Sequence, residues 1–467
     1  MEGTLEELRR ISNCPEGATF SQLGLRKSVA SSKQNALVGG PFGSNLVSRD
    51  YAEDGVPVIR GQNMGQRWIG GEFAYVSREK AEALSANLAR PSDVIFTQRV
   101  TLGQVSLVPN KPYEHYLISQ SQMKLTVDSQ KADPLFLYYV FRTPEQQEHI
   151  QSHAIQTGVP HTNLGILRST VVPAPPIAKQ KAIARILGSL DDKIELNHRM
   201  NETLEAMARA LFKSWFVDFD PVRARAEGRD PGLPKPIVDL FPARLVNSEL
   251  GEIPEGWPVV TLPHVIDVNP TRPLPKGQVA PYLDMANMPA QGHTPDTVID
   301  RPFGSGMRFV NGDTFVARIT PCLENGKTAF VDFLERGQIG WGSTEYIVLR
   351  PKPPLPEELA YCLLPEELAY CLARSNGFRE FAIQSMTGTS GRQRVPAEAL
   401  SHYRIAAPPK EIGEHFGEVV APLFARAAAA ARESHVLASL RDALLPNLIS
   451  GELRVEDPSR AVAEAAG

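Results

Sequence analysis

Cysteine is scarce in this chain: four among 467 residues, at Cys14, Cys322, Cys362 and Cys371. Their spacing has none of the pairing of a metal site, so they read as reduced thiols. Long apolar runs are missing too. The most apolar stretch, residues 419–431, is short and broken by Arg426, well below the roughly 20 residues needed to cross a bilayer. The opening residues carry Glu2, Glu6 and Glu7 where an export signal would be basic. The expectation is a cytoplasmic protein with no membrane contact. Charge of one sign is also lacking: 49 Lys and Arg against 53 Asp and Glu give a formal net charge of −4. Any surface for nucleic acid must then be locally basic, or the affinity must be shared with partner subunits.

Catalytic motifs are absent as well. Gly326-Lys327-Thr328 ends like a phosphate-binding loop, but Pro321 stands where its first glycine belongs, and the dinucleotide-like Gly304-Ser-Gly306 meets Phe309 in place of its last glycine. His149 and His153 have helix-face spacing but neither the general-base Glu of a zinc protease nor a third ligand, which reads as a solvated or capping pair. There is no Asn/Asp-Pro-Pro-aromatic motif of an amino-methyltransferase, no Ser-His-Asp arrangement and no nuclease cluster. The chain reads as a binding protein with no catalytic or metal site and no cofactor of its own.

What is present is repetition. The length allows two or three domains, and the composition, 42% apolar and 22% charged, is that of globular protein. From Asp93 the first half runs through Arg99 and a strand to Val108, then Tyr116-Leu-Ile-Ser119, a helix-like stretch over 134–155 and the loop 156–160. From Asp313 the second half repeats the order through Arg318, a strand to Val331, Trp341-Gly-Ser343, a helix-like stretch over 356–383 and the loop 386–390. Each half then reaches a proline pair, Pro175-Pro176 or Pro408-Pro409, and a long helical pattern. Asp93 to Gly158 is 65 residues and Asp313 to Gly388 is 75. Nine of the extra ten are a tandem copy, since LPEELAYCL occupies both 355–363 and 364–372. Nine residues are two and a half helical turns, and Pro365 disfavours one continuous helix, so the extra copy is expected to form a separate short turn.

The helical segments carry a coiled-coil seam of alternating four- and three-residue spacing: Ile183, Leu187, Leu190, Ile194, Asn197, Asn201, Leu204, Ala208, Leu211 and Trp215. The second seam is Phe416, Val420, Leu423, Ala427, Ala430, Ser434, Leu437, Arg441, Leu444 and Leu448. Asn197 and Asn201 against Ala430 and Ser434 suggest a polar or small-residue layer that fixes register; Arg441 is a mismatch. An exposed stripe of this length needs a partner, so the two helices should pair, antiparallel if a twofold relates the repeats. About forty residues at about 1.5 Å each give a rigid spacer of roughly 60 Å. The expected fold is α+β, two similar domains of mixed strands and helices separated by two long helices: a first domain over 1–174, a spacer helix over 175–217, a Pro- and Gly-rich linker over 218–258, a second domain over 259–407, a second spacer helix over 408–453 and a disordered tail over 454–467.

Polar and basic residues at loop tips and strand ends are candidate base readers, because Arg pairs bidentately with guanine and Asn or Gln with adenine. In the first half these are Ser44, Asn45, Arg60, Gln62, Asn63, Arg99, Gln104, Gln156 and His161. In the second they are Arg272, Asn287, Arg318, Thr344, Arg392, Gln393 and Arg394. Arg99 and Arg318 occupy matching places in this reading. For any one of them a solvated or phosphate-contacting role is the competing assignment.

Residues 175–225, PPIAKQKAIARILGSLDDKIELNHRMNETLEAMARALFKSWFVDFDPVRAR, resemble the central conserved region of type I restriction specificity subunits. Gly40-Pro-Phe-Gly-Ser44, Val56-Pro-Val-Ile-Arg60-Gly61, the segment from Ser248 to Trp257 and the segment from Leu444 to Glu452 extend the resemblance over almost the whole chain. It implies two target-recognition domains on double-stranded DNA, each reading half of a split sequence. It also implies paired helices that set the gap and dock two methyltransferase subunits. In that family the methyltransferases bind S-adenosylmethionine and flip out adenines, while separate restriction subunits use ATP and Mg to translocate and cut. Half-sites a DNA turn or more apart, about 34–36 Å per turn, need not match, because the two domains differ in sequence. The departures are the tandem copy, which bears on reading by the second half, and a first domain without the Trp-containing lead of the second. The alternatives are a specificity subunit of a two-subunit cutting and methylating enzyme, a coiled-coil adaptor with no DNA role, and a stand-alone regulator, for which no helix-turn-helix pattern is present.

Overall fold

The computed structural model describes residues 25, 30–32, 34–99, 101–155, 161–295, 297–352, 365–389 and 391–453. Gln156 and its loop, the first LPEELAYCL copy, Cys14, Cys362 and the 454–467 tail lie outside the described residues. The chain divides into two compact units, residues 1–193 with 436–467 and residues 194–435.

In the first unit the strands are β1 (Leu37–Gly39), β2 (Tyr51–Ala52), β3 (Val56–Ile59), β4 (Ala74–Val76), β5 (Leu88–Ala89), β6 (Val94–Thr97), β7 (Val105–Leu107), β8 (Tyr116–Ile118) and β9 (Gln122–Leu125). They form an antiparallel sheet β1-β9-β6-β7 and a mixed sheet β2-β4-β3-β8-β5 in which β3 and β8 run parallel. Helix α1 (Arg78–Ala83) follows β4, and α2 (Pro134–Val140), α3 (Pro144–Ser152) and α4 (Leu164–Ser169) follow β9. The first long helix, α5 (Ile177–Phe216), comes next and belongs to the first unit up to Lys193; α6 (Asp220–Ala226) and α7 (Lys235–Val238) belong to the second.

The second unit continues with β10 (Leu245–Ser248), β11 (Gly251–Pro254), β12 (Val259–Thr261), β13 (Ile266–Val268), β14 (Val279–Leu283), β15 (Ile299–Pro302), β16 (Met307–Phe309), β17 (Thr314–Ala317), β18 (Thr328–Phe330), β19 (Gly340–Gly342) and β20 (Tyr346–Pro351). Helices α8 (Glu366–Ala373) and α9 (Asn376–Gln384), strand β21 (Arg404–Ala406) and the long helix α10 (Lys410–Ser450), which belongs to the first unit from Val436 on, follow. Its sheets β13-β20-β17-β18 and β15-β14-β19-β16, with β14 and β19 parallel, repeat the first unit strand for strand apart from β2. The repeat has a local cause. Residues of β6 and β17 are buried throughout, as continuous apolar runs in a covered sheet are. Each run is entered through an aspartate whose carboxylate accepts the amide three residues earlier, Asp93 from Arg90 at 2.9 Å and Asp313 from Val310 at 2.8 Å.

The helix-like stretch over 134–155 is two helices, and so is the described part of the stretch over 356–383. Thr143 caps α3 with Pro144 at its first position, and Ser375 caps α9, so a helix start is written into the middle of each run. Pro365 is extended, at φ −55° and ψ 154°, and no helix runs across it. The second LPEELAYCL copy supplies α8, burying Leu368, Ala369, Tyr370, Cys371 and Leu372. Residues 218–258, expected as a linker, are built into the second unit: Phe219, Val222, Phe241, Ile253 and Trp257 join Trp215 and Phe416 in one core. Three of their prolines, Pro221, Pro234 and Pro236, sit at helix starts, where a missing amide hydrogen costs little.

Helices α5 and α10 hold 40 and 41 residues and pair antiparallel. In the second unit the Trp215 and Phe416 rings lie 5.9 Å apart, and Asn197 Nδ2 donates to Glu433 Oε2 at 2.9 Å and to Ala430 O and Ser434 Oγ at 3.3 Å. In the first unit Arg441 meets Asp191, and Leu187 shares a core with Leu445 and Leu448. Every seam residue named above is buried or half-buried, whereas Leu196, Met207, Val419, Val436 and Leu440, off the seam, are exposed. The expected polar layer at Asn197 is present. Arg441 is no mismatch: its Nη1 donates to Asp191 Oδ1 at 2.6 Å, and Asp191 Oδ2 accepts from Tyr139 of α2 at 2.6 Å. The second unit has a counterpart in Glu205 of α5, which accepts from Arg374 after α8 at 3.2 Å. Among the described residues no helix is long and apolar enough to cross a membrane.

Candidate nucleic-acid interface

In the first unit β3, β6 and β8 end, and β9 begins, at one edge. Ser119 N donates to Ile59 O at 3.0 Å, Gln98 N to Ser121 O at 2.7 Å and Thr162 N to Gln98 O at 3.0 Å. The loop holding Ser44 and Asn45 joins them because Gly40 N donates to Gln122 O at 2.8 Å. Only glycine permits that approach, since a Cβ on Gly40 would lie 1.9 Å from the Ser119 carbonyl oxygen. Gln104 reaches the turn after β3, its Nε2 3.5 Å from where a Cβ on Gly65 would stand, and Arg99 pairs with His161. Ser44, Asn45, Arg60, Gln62, Asn63, Arg99, Gln104 and His161 thus share one loop cluster.

The second unit builds the same edge. Arg318 N donates to Glu345 O and Val395 N to Arg318 O, both at 2.9 Å, and Thr320 N to Gln393 O at 3.1 Å. Lys327, in the false phosphate loop, spends its ammonium on the carbonyls of Met285 at 2.5 Å and Ala286 at 3.2 Å. Asn287, Arg318, Thr344, Arg392, Gln393 and Arg394 gather here.

Two expectations are corrected. Arg99 and Arg318 do not match: the backbone bonds equate Arg318 with Gln98, and the paired residues Arg99–His161 with Ile319–Arg394. The sequence alignment slipped by one residue, and successive residues of an extended strand face opposite ways. Arg272 is not at this edge. It bonds Asp313, at the other end of β17, with Nη2 2.5 and 2.6 Å from the two carboxylate oxygens, and Asp313 is fully buried.

The other candidates divide by what they already hold. Asn63 is buried and ties its own turn, accepting from Arg60 N at 3.0 Å and donating to Gly70 O and Glu72 O at 2.9 Å. Asn287 does the same with Asp284 at 2.9 Å. Gln62 reaches Glu72 O at 3.1 Å, and Gln104 accepts from Thr101 at 3.0 Å. Arg394 forks onto Glu345 at 2.8 and 2.9 Å, and this bond raises its guanidinium above the ordinary range. Ser44, Asn45, Arg99, Thr344 and Arg392 are exposed; Arg60 and Arg318 are half-buried, each with an Nε closed off from solvent and unpartnered. Sequence reasoning missed Gln98, Ser119, Gln122 and Glu345, which organise the edges. Ser119 lay within a quoted motif, and the period of two along β6 would have separated Gln98 from Arg99.

His153 follows α3, and its Nδ1 lies 3.0 Å from the His149 carbonyl, a capping geometry; burial and the neighbouring His153 ring push His149 below its ordinary range. Among the described residues no three His, Cys, Asp or Glu converge as metal ligands, and Cys322 and Cys371 are free thiols.

Residues 47–206 match the type I restriction modification DNA specificity domain. The chain is 25% identical over 443 residues to the type I restriction enzyme MjaIX specificity subunit of Methanocaldococcus jannaschii, covering 90% of this chain and 92% of that one. It is 23% identical over 461 residues to the HindI specificity subunit of Haemophilus influenzae, covering 88% and 97%. The S subunit of a type I restriction-modification system from M. genitalium superposes with a TM-score of 0.49 at 15% identity, over 93% and 97% of the chains. Residues 47–206 thus carry a type I restriction modification DNA specificity domain, and over most of its length the chain is similar to type I restriction enzyme specificity subunits.

Proposed function

We propose that this chain reads a split, asymmetric sequence on double-stranded DNA, one half-site through each loop edge, with α5 and α10 fixing the gap. The observation that carries this is a repeated scaffold with unlike side chains on the same edge. Gln98 and Arg99 stand where Arg318 and Ile319 stand, and Arg60 where Asp284 stands, so matched backbones offer different hydrogen-bonding faces. Two methyltransferase subunits dock on the complex, and restriction subunits join through it. Exposed Leu196 and Met207 on α5, and Val419, Val436 and Leu440 on α10, supply apolar surface for that docking. S-adenosylmethionine, ATP and Mg belong to those partners, and this chain carries no cofactor in the cytoplasmic complex. The test is to express the chain with its methyltransferase in a methylation-free host and map modified adenines, then exchange residues 1–174 for those of a relative. A split motif of which only one half changes is expected. Both halves changing together refutes the reading.

A further inference from the structure

Many arginines of the second unit are committed. Arg272 and Arg350 hold Asp313, Arg374 holds Glu205, Arg394 holds Glu345, Arg404 holds Glu249, and Arg308 bonds the Arg272 carbonyl. Arg318 differs. Its side chain has no hydrogen bond, ion pair or ring contact among the described residues, and its Nε is closed off from solvent without a partner. The carboxylate closest in the bonding pattern, Glu345, is already spanned by the fork of Arg394. The backbone of Arg318 is nonetheless held on both sides, donating to Glu345 O and accepting from Val395 N at 2.9 Å. A fixed backbone carrying a half-buried guanidinium, whose terminal amino groups hold no partner among the described residues, is a donor fork set in place ahead of its acceptor.

From this we propose that Arg318 is a specificity-determining residue of the second half-site, placing its two terminal amino groups on O6 and N7 of one guanine in the major groove. The assignment rests on the DNA-reading function proposed above. A phosphate would accept the same fork, but a phosphate contact needs no anchoring at the centre of the edge; exposed Arg392 suits that role. Gln98 stands at the equivalent place in the first unit, with its Oε1 closed off and unpartnered. The two units therefore offer different chemistry from one scaffold position, and a guanine read by Arg318 has no counterpart read by arginine at Gln98.

The experiment uses the full chain with its methyltransferase partner in a methylation-free host, with adenine modification mapped for the wild type, Arg318→Ala and Arg318→Lys. Losing a bidentate guanine contact lowers modification of the cognate site by roughly 5- to 150-fold, the equivalent of about 1–3 kcal/mol. It should relax one base position in one half-site and leave the other half unchanged. Lysine keeps the charge but not the fork, so Arg318→Lys should retain more overall modification and relax the same position. If both variants lower all sites evenly with an unchanged motif, the contact is to phosphate and the proposal falls. It falls equally if Arg318→Ala leaves the motif and its level intact. A wild-type complex that modifies no split motif fails the parent function instead, a result visible before any variant is compared. Should Arg318→Ala fail to accumulate as folded protein, Arg318→Lys alone decides, since it preserves the stem and charge.

Discussion

Replacing Arg441 by methionine tests how helix α2 is fastened to the long helices in the first unit. Asp191 is buried, with a side-chain exposure of 9%, and has two partners at 2.6 Å, Tyr139 on one oxygen and Arg441 on the other. Without the guanidinium, a buried carboxylate keeps only a neutral hydroxyl, a loss of about 3–5 kcal/mol. Asp191→Asn should cost less. It removes the charge but keeps an oxygen for Tyr139, and Arg441 retains Asp442 at 2.7 Å toward solvent. Tyr139→Phe removes one hydrogen bond to a charged acceptor, about 1.5–3 kcal/mol.

The decisive variant is the triple Tyr139→Phe, Asp191→Leu, Arg441→Met. An apolar layer replaces the cluster with no polar atom orphaned, so most of the loss should return, as it does when whole buried ion pairs are exchanged for hydrophobic side chains. Because the chain has two units, one global midpoint is a poor readout. Hydrogen exchange of the α2 amides in increasing urea reports the local free energy directly. A loss below about 1 kcal/mol in Arg441→Met, or a triple variant weaker than Arg441→Met, would show that the cluster does not hold α2 to α5 and α10.

Arg272→Ala should separate structure from reading: stranding fully buried Asp313, with Arg350 at 3.4 Å as its remaining cation, costs about 3–5 kcal/mol in thermal unfolding of the second unit, with no change of motif in the protein that survives. Deleting 355–363 leaves one LPEELAYCL to form α8 and shortens the connection after β20 from fourteen residues to five, so stability should change by less than about 1 kcal/mol, and the modified motif should stay the same; a changed second half-site refutes this. Burial raises the hydroxyl pKa of Tyr139, Tyr346 and Tyr370 above its ordinary value. Their contribution is whole below the unfolded value of about 10 and is lost as pH rises from there through the folded values, so tyrosinate absorbance should appear together with unfolding rather than before it.

The elements with strong periodicity were legible in the sequence. The α5 and α10 seam could be read because an exposed apolar stripe at 3.5-residue spacing has no stable alternative to pairing, and Asn197 was legible as an interruption of it. Arg441 was not, because Asp191, which it binds, and Tyr139, which donates to Asp191, lie 250 and 302 positions away and nothing local announces them. The breaks between α2 and α3 and between α8 and α9 were written in Thr143-Pro144 and Ser375, which the broad helical pattern concealed. Composition misjudged residues 218–258, where proline marked helix starts and a hairpin rather than an unstructured connection. Among candidate readers, residue type drew in Arg272 and Asn63 with Arg318 and Arg99. Only contacts distinguish a guanidinium already holding Asp313 from one with no carboxylate.

The one-residue slip between Arg99 and Arg318 carries a consequence for how one scaffold yields two readings. Strand side chains alternate faces, so moving an arginine by one position along the exit of β6 or β17 turns it to the other side. In the first unit the inward position holds Gln98, only 5% exposed, and the arginine stands outside beside His161; in the second the arginine takes the inward position and Ile319 the outward one. Neither change disturbs the backbone bonds to the neighbouring loops, which are the same in both units. The sheets and their glycine-permitted loop contacts can therefore be kept while the hydrogen-bonding face is rewritten by exchanges confined to one strand exit. On the proposed function, a duplicated domain of this kind has a short route to unlike half-sites, because exchanging Gln98 for Arg318 and Arg99 for Ile319 leaves the backbone bonds at the strand exit in place.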